Sequence, residues 1–343
     1  MRSSTSSSEA AARPARWLLT WLLALAIVVA GWVAFERYWR AQGYAPSVVD
    51  SLDLWSQMRA RVDRPAPPQR IALLGASRIQ YGISPSAFRD EARRLGLDVD
   101  PVMLAVNGHY PLAALRDLAD DPQFVGVALV GIDSRGMDRQ VWDMQAPHVR
   151  YYHHDWSPSR ELHRRLLTRL QEHVIAARPE FSIVTLIKRA LDGQGPPYRD
   201  YVLFQRDRSA GTDYARSDVT AIRNARIADL RKYYPRFTAP SPEAWLAGMR
   251  EVVGWVERIN ARGGKVVFYR EPLSGEHLEL DEQHFPRAQY WDRLAAIMPA
   301  TMIDFRDYPS LQFDTPDTSH VDIKDIDAQS RALVRVLREQ HVF

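Results

Sequence analysis

The stretch that decides the fold is Ile71-Ala72-Leu73-Leu74-Gly75-Ala76-Ser77. A short apolar run that ends in a glycine is typical of a buried strand in a parallel sheet. The serine follows where such a strand passes into the next element, and ligands of α/β proteins bind at that edge of the sheet. We therefore predict a parallel strand that presents Ser77 at the carboxyl edge of a sheet.

Strands and helices alternate on both sides of an irregular middle region. Apolar runs of strand length end in glycine, polar or charged residues, and helical stretches with capping residues such as Ser84 separate them. This alternation predicts an α/β fold, with a three-layer α/β/α domain and a mainly parallel five-stranded sheet. The predicted strands are 71–74, 99–106, 124–132, 265–269 and 301–305, and the predicted helices are 84–95, 111–118, 243–262, 285–298 and 322–338, the last with Asp322 as N-cap.

Residues 135–240 interrupt this alternation and are rich in Arg, Tyr, Pro and His. Helical patterns at 159–176, 180–191 and 218–232 predict a helical insertion within a domain that spans 70–343. Several aromatic side chains of the insertion fit either a glycan-binding groove or the insertion's own core. They are Trp142, Tyr151, Tyr152 and Trp156.

The N-terminal region contains the uncharged stretch WLLTWLLALAIVVAGWVAF, residues 17–35. It is about long enough to cross a bilayer, and Trp17 and Trp32 near its ends suit the membrane interface. Arginines precede it, which favours a cytoplasmic N-terminus. We predict a disordered tail at 1–16, a transmembrane signal anchor at 17–35 in the cytoplasmic membrane, a stalk at 36–69 and a periplasmic domain.

Two other interpretations of this stretch stay open. Val28-Val29-Ala30 resembles a weak cleavage site, so the stretch could be a signal peptide that is removed. A buried core helix is the second alternative, although a long uncharged run at a terminus rarely serves that purpose.

Composition excludes several classes of function. The chain has no cysteine, which rules out disulfides, a thiolate nucleophile and a Cys-ligated zinc. Its net charge of +3 is mild, and no run of basic residues interleaved with aromatics points to nucleic acid. Adjacent histidines on an aromatic loop, as at 153–154, are usually surface groups, and His277 and His284 lack the helical spacing of a zincin. We therefore predict neither a metal nor a cofactor. The histidines considered are His153, His154, His277 and His284.

The segment Asp317-Thr318-Ser319-His320 follows the last predicted strand. A serine needs a base to attack an ester carbonyl, and an aspartate can orient that base. We therefore predict Ser77 as nucleophile, His320 as general base and Asp317 as its orienting carboxylate. The alternatives are an ordinary helix N-cap for Ser77 and a polar surface turn for 317–320.

Other residues at strand ends complete the candidate site. The N–H groups of Ser77 and Gly108 and the side chain of Asn107 are candidates for an oxyanion hole. Arg78 and Arg270 are candidates for binding a substrate carboxylate or phosphate. An ion pair with Glu271 or Asp304 is the alternative for Arg270.

These residues resemble the SGNH (GDSL-like) hydrolase superfamily, over about residues 70–135 and 263–340. The family's G-D-S block corresponds to Gly75-Ala76-Ser77, its oxyanion glycine to Gly108, and its D-x-x-H block to 317–320. The resemblance implies an SGNH-like fold and Ser-His-Asp catalysis. The family's G-x-N-D block reads Gly131-Ile132-Asp133-Ser134, so Asp133 takes the place of the oxyanion asparagine. A carboxylate there would repel an oxyanion unless it is protonated.

Within the superfamily, the chain looks most like the membrane-anchored SGNH-like proteins of bacterial cell-envelope and exopolysaccharide O-acylation. These include the alginate O-acetylation proteins and the D-alanine transfer protein of teichoic acid. The resemblance implies a polysaccharide or acyl-donor substrate and a membrane-bound O-acyltransferase as partner.

Three functional hypotheses follow. The first is an extracytoplasmic acyltransferase or esterase that acts on O-acyl groups, such as O-acetyl, of an envelope or exported polysaccharide. The second, favoured by Asp133, is a catalytically weak or inactive module that binds glycan or scaffolds an acylation complex. The third is a periplasmic lipid or thioester hydrolase.

Overall fold

The computed structural model describes residues 8–64, 67–236 and 240–343, which form two compact units. The first unit contains the N-terminal residues up to Ser47 together with His173–Arg199. The second contains Val48–Glu172 and Asp200–Phe343 and carries the predicted site.

The second unit has an α/β fold, and the prediction of a parallel five-stranded sheet is confirmed. The strand order is β2-β1-β3-β6-β7, and every pairing in this sheet is parallel. A separate antiparallel hairpin consists of β4 and β5. The strands are β1 Gln69–Leu74, β2 Val99–Met103, β3 Val127–Gly131, β4 Val202–Phe204, β5 Ala210–Thr212, β6 Lys265–Arg270 and β7 Thr301–Asp304.

Helices cover both faces of the sheet. Successive residues of a strand point to opposite faces, so Ala72 and Leu74 of β1 join one apolar cluster and Ile71 and Leu73 join another. The first cluster is closed by α2, α5 and α11, and the second by α4 and α14. The helices of this unit are α2 Leu52–Val62, α3 Ser77–Gly82, α4 Pro85–Arg94, α5 Leu112–Asp120, α6 Ala146–His154, α7 Pro158–Gln171, α9 Val219–Tyr233, α10 Pro242–Gly248, α11 Arg250–Ala261, α12 Gly275–His284, α13 Trp291–Ala295 and α14 Ile326–Glu339.

Some elements differ from their predictions. The helix predicted at 285–298 is wrong for most of its length, because only α13 is helical there and α12 precedes it. α12 buries only His277 and Asp281, so its sequence lacks the apolar periodicity that reveals a helix. The helix predicted at 243–262 is divided into α10 and α11 at Met249, and α14 begins after Asp325 instead of Asp322.

Two regions assigned outside the core belong to the domain. α2, predicted as part of a stalk, buries Trp55 fully, and the indole N–H of Trp55 donates to the Leu104 carbonyl. The insertion contains the β4–β5 hairpin, which the sequence did not predict. The Ile323 N–H donates to the Thr212 carbonyl at 2.9 Å, which ties this hairpin to the loop after His320.

The first unit contains α1, Ser8–Ala41, and α8, Ile183–Leu191. Residues 16–41 of α1 form a helix that is long and apolar enough to span a membrane. α1 already includes residues 8–16, which the sequence assigned to a disordered tail, and the rest of that predicted tail lies outside the described residues.

Candidate active site

The carboxyl ends of β1 and β3 form the central crevice of the sheet. These strands are neighbours, but β2 lies beyond β1 on one side whereas β6 and β7 lie beyond β3 on the other. Strand order therefore reverses between them, and ligands of open parallel sheets bind outside the strand ends at such a point. The segments that leave these two strands carry Ser77 and Asp133.

Ser77 is the first residue of α3 and lies directly beyond β1. Ala76 occupies the N-cap position, so the hydroxyl of Ser77 does not cap the helix. α3 lies close to the sheet because Gly75 and Gly131 have no side chains. A Cβ on either glycine would clash with Ile79 of α3. The glycine-ended strands thus allow the serine to sit at the mouth of the crevice.

The structure brings Ser77, His320 and Asp317 into one chain of hydrogen bonds. The His320 Nε2 to Ser77 Oγ distance is 2.8 Å, and the His320 Nδ1 to Asp317 Oδ2 distance is 2.9 Å. With its proton on Nδ1, the imidazole donates to the carboxylate and accepts from the hydroxyl. This arrangement suits a serine whose proton is removed by a histidine that an aspartate orients.

The turn at 317–320 holds both partners in place. Oδ1 of Asp317 accepts the N–H groups of Ser319 at 2.9 Å and His320 at 2.7 Å, which leaves Oδ2 for the imidazole. Thr318 has φ of 73°, a conformation that a β-branched residue rarely adopts. Its carbonyl accepts the N–H of Ser274. Such strain costs about 1–3 kcal/mol and persists where the surroundings impose it, as at functional sites.

The protonation states fit the same chemistry. Burial by itself raises the pKa of Asp317, but the hydrogen bond and charge of His320 and the charge of Arg226 bring it well below its usual range. Burial lowers the pKa of His320, and Arg226 and Arg78 add to this effect, whereas Asp317 opposes it. Asp317 is therefore ionised and His320 neutral at pH 7, so Nε2 can accept a proton.

Arg226 of α9 joins the site, and the sequence did not predict it. Its Nη2 lies 2.8 Å from Asp317 Oδ2 and 3.3 Å from His320 Nδ1. The residue lies 91 positions from Asp317 in a region predicted only as an insertion helix, so no local pattern pointed to it. Its neighbour on the same face, Arg223, instead donates to the Pro316 carbonyl at 2.8 Å.

The turn after β2 lies beside Ser77 and carries the oxyanion candidates. Gln80 of α3 accepts the Asn107 N–H at 2.8 Å, so only the side-chain amide of Asn107 remains as a donor. Gly108 is exposed, has φ of 73°, and a Cβ there would meet nothing within 4 Å. The Ser77 N–H, at the start of α3, has no intrahelical acceptor. Gln80 thus fixes this turn against the helix that carries the serine.

Asp133 does not offer a donor to an oxyanion. It therefore does not fill the role of the oxyanion asparagine whose position it holds in the SGNH-like motif. It is fully buried, its Oδ2 lies 2.6 Å from Arg78 Nη2, and its Oδ1 accepts the Gly136 N–H at 2.7 Å. Burial raises the pKa of Asp133, but the charges of Arg135 and Arg78 lower it well below its usual range. The carboxylate is ionised and holds Arg78, the residue next to the serine.

Glu271 is a further buried acid at this edge that the sequence did not assign to the site. Burial raises the pKa of Glu271 to about 7, against the opposing charge of Arg78. Its Oε2 lies 4.0 Å from Arg78 Nη1, and neither atom has a hydrogen-bond partner among the residues that the structure describes. Glu271 therefore changes its charge near neutral pH beside a residue that adjoins Ser77.

Arg270 is not placed to bind substrate, so that prediction is wrong and the ion-pair alternative holds. Its side chain is 1% exposed, and Nη2 lies 2.5 Å from Asp281 Oδ2 and 3.2 Å from Glu282 Oε1. Nη1 lies 3.3 Å from Asp304 Oδ2. This enclosed guanidinium joins the end of β6 to α12 and to the end of β7.

The aromatic residues of the insertion contact α2 and the core. Trp142 is buried, and its ring centroid lies 5.2 Å from that of Trp255. Tyr151 and Tyr152 donate to the carboxylates of Asp53 and Asp63. The ring of Trp156 packs against Tyr152. These contacts agree with the core alternative for Trp142 and leave the glycan groove a prediction for the other three.

The chain matches no family model and no curated protein. Nine chains of solved structures match, among them the structure titled "Crystal Structure of TesA", with 10% sequence identity and a TM-score of 0.35 over 79% of this chain and 99% of that one. The roles of individual residues therefore rest on the geometry of this chain.

Proposed function

We propose that the chain is a membrane-anchored serine esterase or O-acyltransferase of SGNH type. It acts on O-acyl groups, such as O-acetyl, of an envelope or exported polysaccharide. The observation that supports this function is the uninterrupted hydrogen-bond chain from Ser77 Oγ through His320 to Asp317. These hydrogen bonds connect a nucleophile, a base and an orienting carboxylate at the point of a parallel sheet where the strand order reverses.

In the proposed reaction, Ser77 Oγ attacks the acyl carbonyl carbon while its proton moves to His320 Nε2. The tetrahedral intermediate collapses, and the leaving oxygen takes that proton from His320, which leaves an acyl ester on Ser77. A sugar hydroxyl then attacks the ester and transfers its proton to His320, and Ser77 recovers the proton when the new ester departs. Water in place of the sugar gives hydrolysis.

The negative oxygen of the intermediate needs donors that are already in place. The Ser77 and Gly108 N–H groups and the Asn107 amide are our candidates. Arg78 follows Ser77 in the chain, and its guanidinium, whose Nη1 lies 4.0 Å from the Glu271 carboxylate, is a candidate source of positive charge at this edge of the sheet. In this proposal the arginine takes over part of the electrostatic role that a buried Asp133 cannot fill.

The apolar part of α1 supports the membrane component of the proposal. Residues 16–41 are long and apolar enough to cross a bilayer. We propose that α1 is an uncleaved anchor in the inner membrane with the α/β unit on the periplasmic side. There the domain would meet membrane-borne acyl donors, with a membrane-bound O-acyltransferase as the candidate partner.

A second candidate function is a catalytically weak or inactive module that binds glycan or scaffolds an acylation complex. Asp133 favours it, because an ionised carboxylate stands where the family has an oxyanion donor. An ordered triad with no competent hole would still bind an acylated sugar without turning it over.

The test is turnover of p-nitrophenyl acetate by the full chain in detergent, with mass spectrometry for an acyl group on Ser77. We expect Ser77→Ala and His320→Ala to lower kcat on the order of 10⁴-fold or more. Ser86→Ala, an exposed serine on α4, is the matched control and should retain activity.

A fluorophosphonate label separates the two candidate functions when turnover is absent. Labelling of Ser77 that disappears in His320→Ala would show an activated serine that lacks its native donor or partner. A folded chain with neither turnover, acyl adduct nor label would overturn the catalytic proposal in favour of the binding module.

A further inference from the structure

α8 carries an apolar face that is open to its surroundings. Four aliphatic residues are more than half exposed: Ile183 at 71%, Val184 at 79%, Ile187 at 54% and Leu191 at 83%. Their spacing of one, four and eight positions from Ile183 places them on one side of a helix. Scattered single apolar residues on a surface need no explanation, but a cluster on one face indicates an interaction site.

The opposite side of α8 packs against its own unit. Thr185, Leu186 and Arg189 are only partly exposed. Arg189 donates through Nε to the Gly195 carbonyl at 3.1 Å and through Nη2 to the Pro196 carbonyl at 3.0 Å. These bonds fasten the end of α8 to the loop that follows it, and the difference in exposure leaves the apolar face directed outward.

The segment before α8 is fastened to the end of α1. The buried ring of Phe181 makes edge-to-face contacts with Trp39 at 5.0 Å and Tyr44 at 5.1 Å. The Ala176 N–H donates to the Glu36 carboxylate at 2.9 Å. Because α8 begins at Ile183, two residues after Phe181, its position is set by this aromatic contact.

This contact lies close to the end of the apolar part of α1. The uncharged stretch ends at Phe35, and Trp39 follows four residues later, about 6 Å along the helix axis. If α1 crosses a bilayer, α8 begins about one helical turn from the hydrocarbon boundary. Lys188 is exposed beside the apolar face, as suits a helix at the level of the lipid headgroups.

We infer that α8 is an interfacial helix that inserts its apolar face into the bilayer crossed by α1. This inference rests on the membrane anchor of the proposed function. The occupant is lipid, because α8 belongs to the same unit as the exposed apolar surface of α1 and the segment before it is joined to the end of α1 through Phe181 and Trp39. An amphipathic helix with a basic flank also fits the headgroup and acyl-chain boundary. α8 thus gives the chain a second, in-plane attachment.

Because the chain has no cysteine, single-cysteine variants can test the inference in the full-length protein. An environment-sensitive nitrobenzoxadiazole label at position 183, 184, 187 or 191 is read in nanodiscs whose lipids carry spin labels at shallow or deep positions. We expect blue-shifted emission and quenching by shallow spin labels at all four positions. Asp192→Cys, adjacent to Leu191 but on the other side, is the matched control, with quenching at least about two-fold weaker than Leu191→Cys.

A label at Val28→Cys, within the apolar part of α1, distinguishes the two possible failures. Deep quenching at Val28 with all four α8 positions like Asp192 would overturn the interfacial helix and leave the anchor intact. Blue-shifted α8 labels that lipid spin labels do not quench would also overturn it, because a protein surface then covers the face. Absence of quenching at Val28 would instead overturn the anchor itself.

Discussion

Asp317 and Asp133 lie at the same edge of the sheet and are built alike. Both are fully buried. In both, Oδ1 accepts a backbone N–H three residues further along the chain, from His320 for Asp317 and from Gly136 for Asp133. Both hold a side chain with Oδ2, which is His320 for Asp317 and Arg78 for Asp133. Both have a pKa well below the usual range and are ionised at neutral pH.

The two aspartates differ in the side chain that each one holds. Asp317 orients an imidazole that can gain and lose a proton and that reaches the Ser77 hydroxyl. Asp133 holds a guanidinium, which stays charged at any ordinary pH. The same carboxylate geometry therefore supports proton transfer at one position and a fixed positive charge at the other. Burial and pKa alone do not distinguish a catalytic acid from a structural one.

The largest expected difference between the two is in catalysis. Asp317→Asn keeps the shape but presents an amide that favours the wrong imidazole tautomer, so we expect kcat to fall about 10⁴-fold. Asp133→Asn should change kcat less than 10-fold. Ester turnover of the two purified variants measures this, and equal losses would remove the distinction between the carboxylates.

The next largest effect is on the free energy of unfolding and concerns the ion pair between Asp133 and Arg78. Asp133→Ala leaves the buried Arg78 without its closest partner, which we expect to lower the free energy of unfolding by about 3–5 kcal/mol. The double variant Asp133→Leu with Arg78→Met removes both charges and should recover part of that loss. Urea unfolding of the parent, single and double variants measures it, and a double variant no better than the single one would contradict the ion-pair explanation.

Glu271 extends the comparison to an acid whose pKa is shifted the other way. Its folded-state pKa of about 7 lies above its ordinary value of 4.5, so the folded protein binds this proton more tightly than the unfolded chain. This tighter proton binding adds to the free energy of unfolding. The contribution is complete below pH 4.5 and is lost as pH rises through 7. Glu271→Gln stays neutral, so relative to the parent it should gain on the order of 3 kcal/mol between pH 4.5 and 8.

Unfolding free energies of the Glu271→Gln variant and the parent between pH 4.5 and 8 test this prediction. Glu339→Gln, which removes an exposed carboxylate of α14, is the matched control. A constant difference for Glu271→Gln would contradict a raised pKa of Glu271 in the folded protein.

The smallest effect is expected at Arg226, which lies against both Asp317 and His320. Its positive charge lowers the pKa of His320, so Arg226→Gln should raise that pKa and move the acid limb of kcat/KM to higher pH. Arg226→Lys should restore part of the shift. Arg223→Gln removes a nearby arginine that donates to the Pro316 carbonyl, and it serves as the matched control. Identical pH profiles for Arg223→Gln and Arg226→Gln would rule out the electrostatic role.

The sequence by itself determined the features that are local along the chain. The apolar runs of β1 and β6, and the glycine that ends β1, predicted buried parallel strands, because strand burial leaves a continuous signal in neighbouring residues. The long uncharged stretch of α1 was equally plain. The positions of Ser77 and of the 317–320 turn followed from strand ends, since the carboxyl ends of parallel strands share one edge.

Only the tertiary structure decided which side chains meet. Ser77 and His320 are 243 positions apart, and their contact depends on the register of the whole sheet. Arg226 reaches Asp317 from an insertion helix, and Arg270 turns into an ion-pair cluster, although both arginines look alike in sequence. The motif at 131–134 placed Asp133 where the SGNH family has its oxyanion asparagine, but in the folded protein its carboxylate pairs with Arg78. A charge has no role in isolation, because its protonation and its function depend on the partners that folding brings within a few ångströms.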